Sequence, residues 1–215
     1  MLDLLQKELR LALHPAAVMF VALAAMLLIP GYPYYVVCFY GCLGLLFVCQ
    51  FGRENKDIEF TLLLPVRKRD AVKARFMLAA LLQLVQLLLG VPFAFLRALL
   101  PVGPNPVGMD ANTAFFGIAL ALYGIFNFVF FSLYYRDPAK VGASFLWGSA
   151  AFAAAMVLAE APTYFVPFFR DRLDTPDPLF LPEKLIVLAA GAGVWALLTY
   201  AAYRRSVSRF ESLDL

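Results

Sequence analysis

The segment RENKDIEFTLLLPVRKRDAVKARF, residues 53–76, concentrates charge in a chain that is otherwise strongly apolar. It carries seven basic and four acidic side chains around the apolar run from Phe60 to Pro65. Long apolar stretches flank the segment on both sides. A charged connector between two apolar blocks predicts a water-exposed loop that joins two membrane spans.

The composition supports a membrane protein. Hydrophobic residues make up 63% of the chain and charged residues 15%, whereas soluble domains carry about 45–50% and about 25%. The sequence pI of about 8.8 comes from Lys and Arg in the loops, so no nucleic-acid partner is expected. A length of 215 residues suits a single transmembrane domain over residues 1–215.

Six apolar segments each approach the roughly 20 residues that cross a bilayer core. They lack the alternation of barrel strands, so they predict helices and an all-α, polytopic membrane fold. The predicted spans are residues 11–29, 34–51, 72–99, 113–134, 141–158 and 185–203, with a charged loop at 52–71 and a polar segment at 159–184. Asp70 is the expected N-cap of the third span.

The loop charges predict the orientation. Fourteen Lys and Arg residues fall on the side that contains both termini and the 52–71 loop, and four fall on the other side. The positive-inside rule places the first side in the cytoplasm. We therefore expect a multi-pass protein of the cell membrane with both termini cytoplasmic and with residues 159–184 outside.

The N-terminal segment LDLLQKELRLAL, residues 2–13, is amphipathic. Leucines recur at helical spacing, and Lys7, Glu8 and Arg10 lie between them. This pattern predicts an interfacial helix on the inner leaflet that ends at Pro15. The alternative is a simple extension of the first span.

The charged loop has room for one short helix. Asn55 or Asp57 could cap it, and it should end at Leu64, the residue before Pro65. An exposed apolar cluster around Phe60 and Leu63 would favour a protein partner. Equally, the leucines could dip into the inner leaflet while basic residues contact lipid headgroups.

This loop resembles the segment after the second span in type-two ABC transporter permeases. The resemblance rests on a short acidic helix, a Leu-Leu-Pro-Val sequence, basic residues, and the start of a long third helix. The matching residues are Glu54, Asp57, Leu63, Leu64, Pro65, Val66, Arg67, Lys68, Asp70, Val72 and Lys73. The rest of the chain resembles the family in layout.

The resemblance implies a bacterial permease subunit in which the loop forms a coupling helix that docks on a separate ABC ATP-binding subunit. Two such ATPases and a second permease copy, giving a homodimer, would complete the transporter. ATP and magnesium would bind to the ATPase and no cofactor to this chain. The implied partner-binding residues are Arg53, Glu54, Asn55, Asp57, Ile58, Leu63, Leu64, Pro65, Arg67 and Lys68.

Catalytic motifs are missing from the sequence. It contains no G-x-x-x-x-G-K-[ST] phosphate loop and no H-E-x-x-H motif, so we expect no enzyme activity in this chain. The single histidine, His14, stands at a predicted span edge, where a headgroup contact is expected. Cys38, Cys42 and Cys49 share one apolar span and are interpreted as packing residues, so no metal site is predicted.

The polar residues and the glycines inside the spans can each be interpreted in two ways. Gln83, Gln86 and Asn127 could join helices by hydrogen bonds or line a pathway. Gly41, Gly44 and Gly148 could serve packing within the chain or a dimer seam.

The apolar spans without central charges favour an amphipathic or hydrophobic substrate, such as a peptide, an antimicrobial or a lipid, and the family resemblance implies that the direction of transport is export. A non-transporting scaffold, sensor or immunity protein with the same fold is the alternative function. An intramembrane enzyme is disfavoured because the spans hold no paired carboxylates.

Overall fold

The structure is a computed structural model that describes residues 2–63, 65–101 and 103–212, and in this part of the chain all regular structure is helical. The all-α fold class is therefore confirmed. The α-helices are α1 Leu2–Lys7, α2 Pro15–Ala22, α3 Tyr35–Glu54, α4 Asp57–Leu63, α5 Lys68–Leu99, α6 Thr113–Tyr134, α7 Val141–Phe165 and α8 Leu181–Glu211. Shorter helical turns of other types cover Glu8–Ala12, Leu23–Leu28, Pro138–Lys140 and Phe169–Leu173.

Helices α3 and α5 to α8 are each long and apolar enough to cross a bilayer, and a bent N-terminal pair can supply a sixth span. The two halves of that pair, Leu4–Ala12 and Pro15–Leu28, meet at 89°. His14 is extended at the bend, and its Nδ1 accepts a hydrogen bond from Ala16 N at 3.1 Å. Because a residue before proline avoids the helical region, the chain turns here, and Leu4–Ala12 lies at a steep angle to Pro15–Leu28 instead of continuing it as a straight helix.

The helix ends differ from the predicted bounds at several places. Helix α6 matches residues 113–134, but α5 begins at Lys68, so Asp70 lies in its first turn and is not the N-cap. The 32 residues of α5 extend over about 48 Å, well beyond the roughly 30 Å hydrocarbon core. Helices α7 and α8 run past the predicted ends at 158 and 203.

Helix α6 forms the centre of the bundle and packs against α7 and α8. Its buried aromatic side chains include Tyr123, Phe126 and Phe130. The contact with α8 is a close backbone approach, since a Cβ built on Gly191 would lie 1.8 Å from the carbonyl oxygen of Gly117. Only glycine permits that approach, and it fixes how α6 and α8 cross.

Polar contacts close the predicted outer end of the bundle. Asn112 caps α6, because its Oδ1 accepts a hydrogen bond from Phe115 N at 3.0 Å, while its Nδ2 donates to Leu173 O at 2.7 Å. Asp110 N donates to the Asp174 carboxylate at 2.8 Å. The segment after α7 is therefore held against the loop that precedes α6.

Candidate functional site

Helix α4 follows α3 after a two-residue turn. Asn55 N donates to Phe51 O at 3.0 Å and ends α3, and Lys56 adopts a left-handed backbone with φ of 52°. The chain thereby reverses and starts α4 at Asp57. On this short helix, Phe60 and Leu63 are 53% and 85% exposed.

A buried ion network, formed by Lys7, Glu8, Asp57 and Arg75, attaches α4 to the rest of the protein. Arg75 Nη2 donates to Asp57 Oδ2 at 2.6 Å, and Arg75 Nε lies 2.7 Å from Glu8 Oε2. The Lys7 ammonium also contacts the Asp57 carboxylate and donates to Thr61 Oγ1 at 2.7 Å. The network joins the N-terminal segment, α4 and the first turns of α5.

The network includes Asp57, one of the predicted partner-binding residues. Its side chain is 12% exposed and faces Lys7 and Arg75, so it holds α4 in place. A direct contact between Asp57 and a partner stays a prediction. The carboxylate is buried here because two cations offset the cost of removing it from water.

The other predicted partner-binding residues fall into three groups. Arg53, Glu54, Asn55, Leu63, Pro65 and Arg67 are exposed, and Ile58 and Lys68 are half-buried. Arg53 Nη1 donates to Ala139 O at 2.9 Å, which joins the α3 end to the loop between α6 and α7. Leu64 lies outside the described residues.

The polar residues inside the spans are paired within the bundle. Gln83 Nε2 donates to Asn127 Oδ1 at 2.7 Å, and Asn127 Nδ2 donates back to Gln83 Oε1 at 3.0 Å. Gln86 Nε2 donates to Val37 O at 2.9 Å, and Tyr123 Oη donates to Gln86 Oε1. Both patterns fit the interhelical interpretation of these side chains.

The three glycines predicted as a possible dimer seam are buried against helices of the same chain. A Cβ on Gly41 would lie 2.1 Å from Gln86 Oε1, and one on Gly44 would lie 3.2 Å from Ala17 Cα. Gly148 packs in the same way on two aromatic rings of α6. In this arrangement these glycines serve packing within the chain, and a dimer seam through them stays a prediction.

A groove of about 680 Å³ lies beside α4. It is bounded by the α3 end, the inner face of α4, the loop 135–140 and the first two turns of α7. Its charged lining comprises Arg53, Lys56, Glu59, Arg136, Asp137 and Lys140. Lys140 Nζ lies 2.9 Å from Asp137 Oδ2, and this hydrogen bond lowers the pKa of the exposed Asp137 carboxyl.

Sequence reasoning missed Lys7, Glu8 and Arg75 as partners of the charged loop. Lys7 and Asp57 are 50 residues apart, and Arg75 and Glu8 are 67 residues apart, so no local spacing connects them. The available signal was weak: two of these charges lie in an amphipathic segment, which predicted an interfacial helix and no partner for its polar side.

Comparison with known families gives one result. Residues 3–210 match the family described as ABC-2 family transporter protein. Comparisons with curated proteins and with solved structures give no match. The family match covers nearly the whole chain, including the N-terminal segment, α4 and all the spanning helices. The chain therefore belongs to the ABC-2 family of transporter membrane proteins.

Proposed function

We propose that this protein is the permease subunit of an ATP-driven exporter and that α4 is the helix on which the ATP-binding subunit docks. One observation carries the proposal: a short exposed helix is fixed by buried ion pairs to the N-terminal segment and to α5. A helix held only by surface contacts could be displaced by the ATPase without moving the rest of the protein. Because α4 is joined to α5 through these ion pairs, α5 would move with it.

The exposed face of α4 suits a protein interface. Phe60 and Leu63 project apolar surface, and buried apolar anchors supply much of the energy of protein interfaces. Around them, Arg53, Glu54 and Lys56 are exposed and charged, which supports selection of a complementary partner.

The proposed assembly contains two copies of the ATPase and two copies of this chain in the cell membrane, with both termini in the cytoplasm. ATP and magnesium would bind to the ATPase, since this sequence carries no phosphate loop. The polar side chains Gln83, Gln86 and Asn127 are paired inside the bundle. The surfaces left for substrate are mainly apolar, which supports an amphipathic or hydrophobic cargo.

Docking on α4 can be tested with Leu63→Asp. We would co-express the chain with candidate ABC ATP-binding proteins of the same organism, purify the complex that forms and measure its dissociation constant. Loss of a hot-spot side chain costs about 2 kcal/mol or more, which is about 30-fold in Kd. Leu179→Asp is the matched control, because Leu179 is 57% exposed on the predicted outer side.

The docking proposal predicts that Leu63→Asp weakens binding about 30-fold and that Leu179→Asp leaves it unchanged. Equal affinities for both variants would disprove docking on α4. Transport is measured separately, as ATP-dependent uptake of a fluorescent amphipathic peptide into inside-out vesicles. A complex that binds and hydrolyses ATP but moves neither peptides nor lipids would favour a scaffold.

A further inference from the structure

The groove beside α4 lies at the predicted inner surface of the membrane. The loop between α6 and α7 is short, residues 135–140, so the groove stays close to the ends of both spans. Ser144 and Trp147, which line it, lie one and two turns into α7. Trp147 is therefore about 9 Å along the helix axis from Val141. The deep end of the groove thus lies beside the part of α7 that spans the membrane.

The rim of the groove is cationic. Four basic and two acidic side chains line it, which leaves an excess of two positive charges. Each acid already has a basic partner: Glu59 lies 3.6 Å from Lys56, and Asp137 lies 2.9 Å from Lys140. Arg53 and Arg136 add guanidinium groups, whose planar forks suit phosphate oxygens.

The deep wall of the groove is apolar and continues to the outer surface of the bundle. Leu133 and Ala143 line it beside Trp147, which is 64% exposed. The neighbouring Leu146 is 67% exposed. Tryptophan at this depth is typical of the membrane interface, with its ring beside lipid headgroups.

We propose that this groove binds an anionic phospholipid of the inner leaflet. Its phosphate lies between Arg53, Arg136 and Lys140, and its acyl chains follow α7 past Trp147. Basic pockets between spans on the cytoplasmic side are suited to acidic headgroups, and about 680 Å³ is enough for a headgroup. A soluble protein is a poorer fit, because it would have to reach Trp147 inside the membrane.

Trp147 provides a direct reporter. The chain has two tryptophans, so Trp195→Phe leaves Trp147 as the single fluorophore. We would reconstitute this variant without any ATPase into vesicles containing brominated phosphatidylglycerol or brominated phosphatidylcholine. Bromine quenches a tryptophan that it contacts, and the expected result is preferential quenching by the anionic lipid, about fivefold or more in relative binding.

The decisive variant is Arg136→Gln in the Trp195→Phe background. Loss of one basic contact should lower the preference for phosphatidylglycerol about fivefold. Lys140→Gln removes a second of the three proposed phosphate contacts and should lower the preference in the same way. Arg204→Gln removes a charge on the same side but outside the groove, and Arg170→Gln removes one on the opposite side. Both controls should keep the preference.

Three results would overturn the proposal. Equal quenching by both lipids would show that the groove does not select an anionic headgroup. An equal loss in Arg204→Gln would indicate general surface charge. Competition by soluble glycerol phosphate would assign the site to a free phosphate compound. If lipid preference is absent and Arg136→Gln instead weakens ATPase binding, the groove belongs to the protein interface.

Discussion

Replacing Arg75 with methionine tests the ion network that holds α4. Arg75 is the central member: its guanidinium reaches Asp57 Oδ2 at 2.6 Å and Glu8 Oε2 at 2.7 Å, with side-chain exposures of 6%, 12% and 5% for Arg75, Asp57 and Glu8. In Arg75→Met, Asp57 keeps Lys7, but Glu8 keeps only a Lys7 contact at 3.4 Å. A carboxylate is thus left buried with a weak partner.

The expected loss is about 3–5 kcal/mol in the free energy of unfolding, the usual cost of removing one member of a buried ion pair. It would be measured by denaturant unfolding in detergent micelles. Glu8→Gln in the same chain should recover part of the loss, because it removes the stranded charge. The matched control is Arg69→Met, since Arg69 is 52% exposed and lies 4.0 Å from Asp70; a change within about 1 kcal/mol is expected there.

If Arg75→Met is as stable as Arg69→Met, the network does not hold α4 and the reasoning fails. A second readout is specific to coupling. With α4 loosened, the ATPase should still bind through Phe60 and Leu63, but substrate should no longer stimulate its ATP hydrolysis. Retained stimulation would separate the stability role of Arg75 from a role in transmission.

Two further predictions concern packing inside the spans. Gly191→Ala should sharply lower the yield of folded protein in detergent, because its Cβ would lie 1.8 Å from Gly117 O. The control Gly193→Ala places a Cβ that meets nothing within 4 Å, so its unfolding free energy should be unchanged or higher by up to about 1 kcal/mol. Equal yields of the two variants would refute the close crossing of α6 and α8. Asn127→Leu should cost about 1–2 kcal/mol in unfolding free energy, because Gln83 Nε2 loses its acceptor while Gln83 Oε1 keeps only the Trp195 Nε1 donor of its two donors. The double variant with Gln83→Leu should recover part of that cost in the same denaturant assay.

The sequence predicted the spans better than their contacts. Apolar length alone located α6, whose bounds match residues 113–134, because crossing a bilayer demands a continuous apolar helix. The break at Pro15 and a short helix that starts at Asp57 followed from proline and capping chemistry, whereas the left-handed Lys56 between α3 and α4 was not predicted. These features depend on neighbours in the chain.

Helix rotation and long-range pairing were beyond the sequence. A span that is apolar on all sides gives no signal for which face meets another helix, so the contact of Gly117 with Gly191 was missed and Gly41 was assigned to a possible seam. The N-terminal segment was likewise predicted only as an interfacial helix, since nothing in the sequence shows that Glu8 meets Arg75.

The continuous helix α5 has a mechanical consequence. Near its start Arg75 is fixed to the ion network, and near its other end Arg97 donates to Gly103 O at 2.7 Å and to Tyr34 Oη at 3.2 Å. Pro92 lies inside α5 between these two anchored points, and a proline there removes one helical hydrogen bond and permits a bend. If α5 tilts as one body, a rotation of about 5° over a length of about 48 Å moves the far end by about 4 Å. We therefore expect α5 to carry a displacement from the end near Arg75 to the end near Arg97, with Pro92 as the position where the helix can bend.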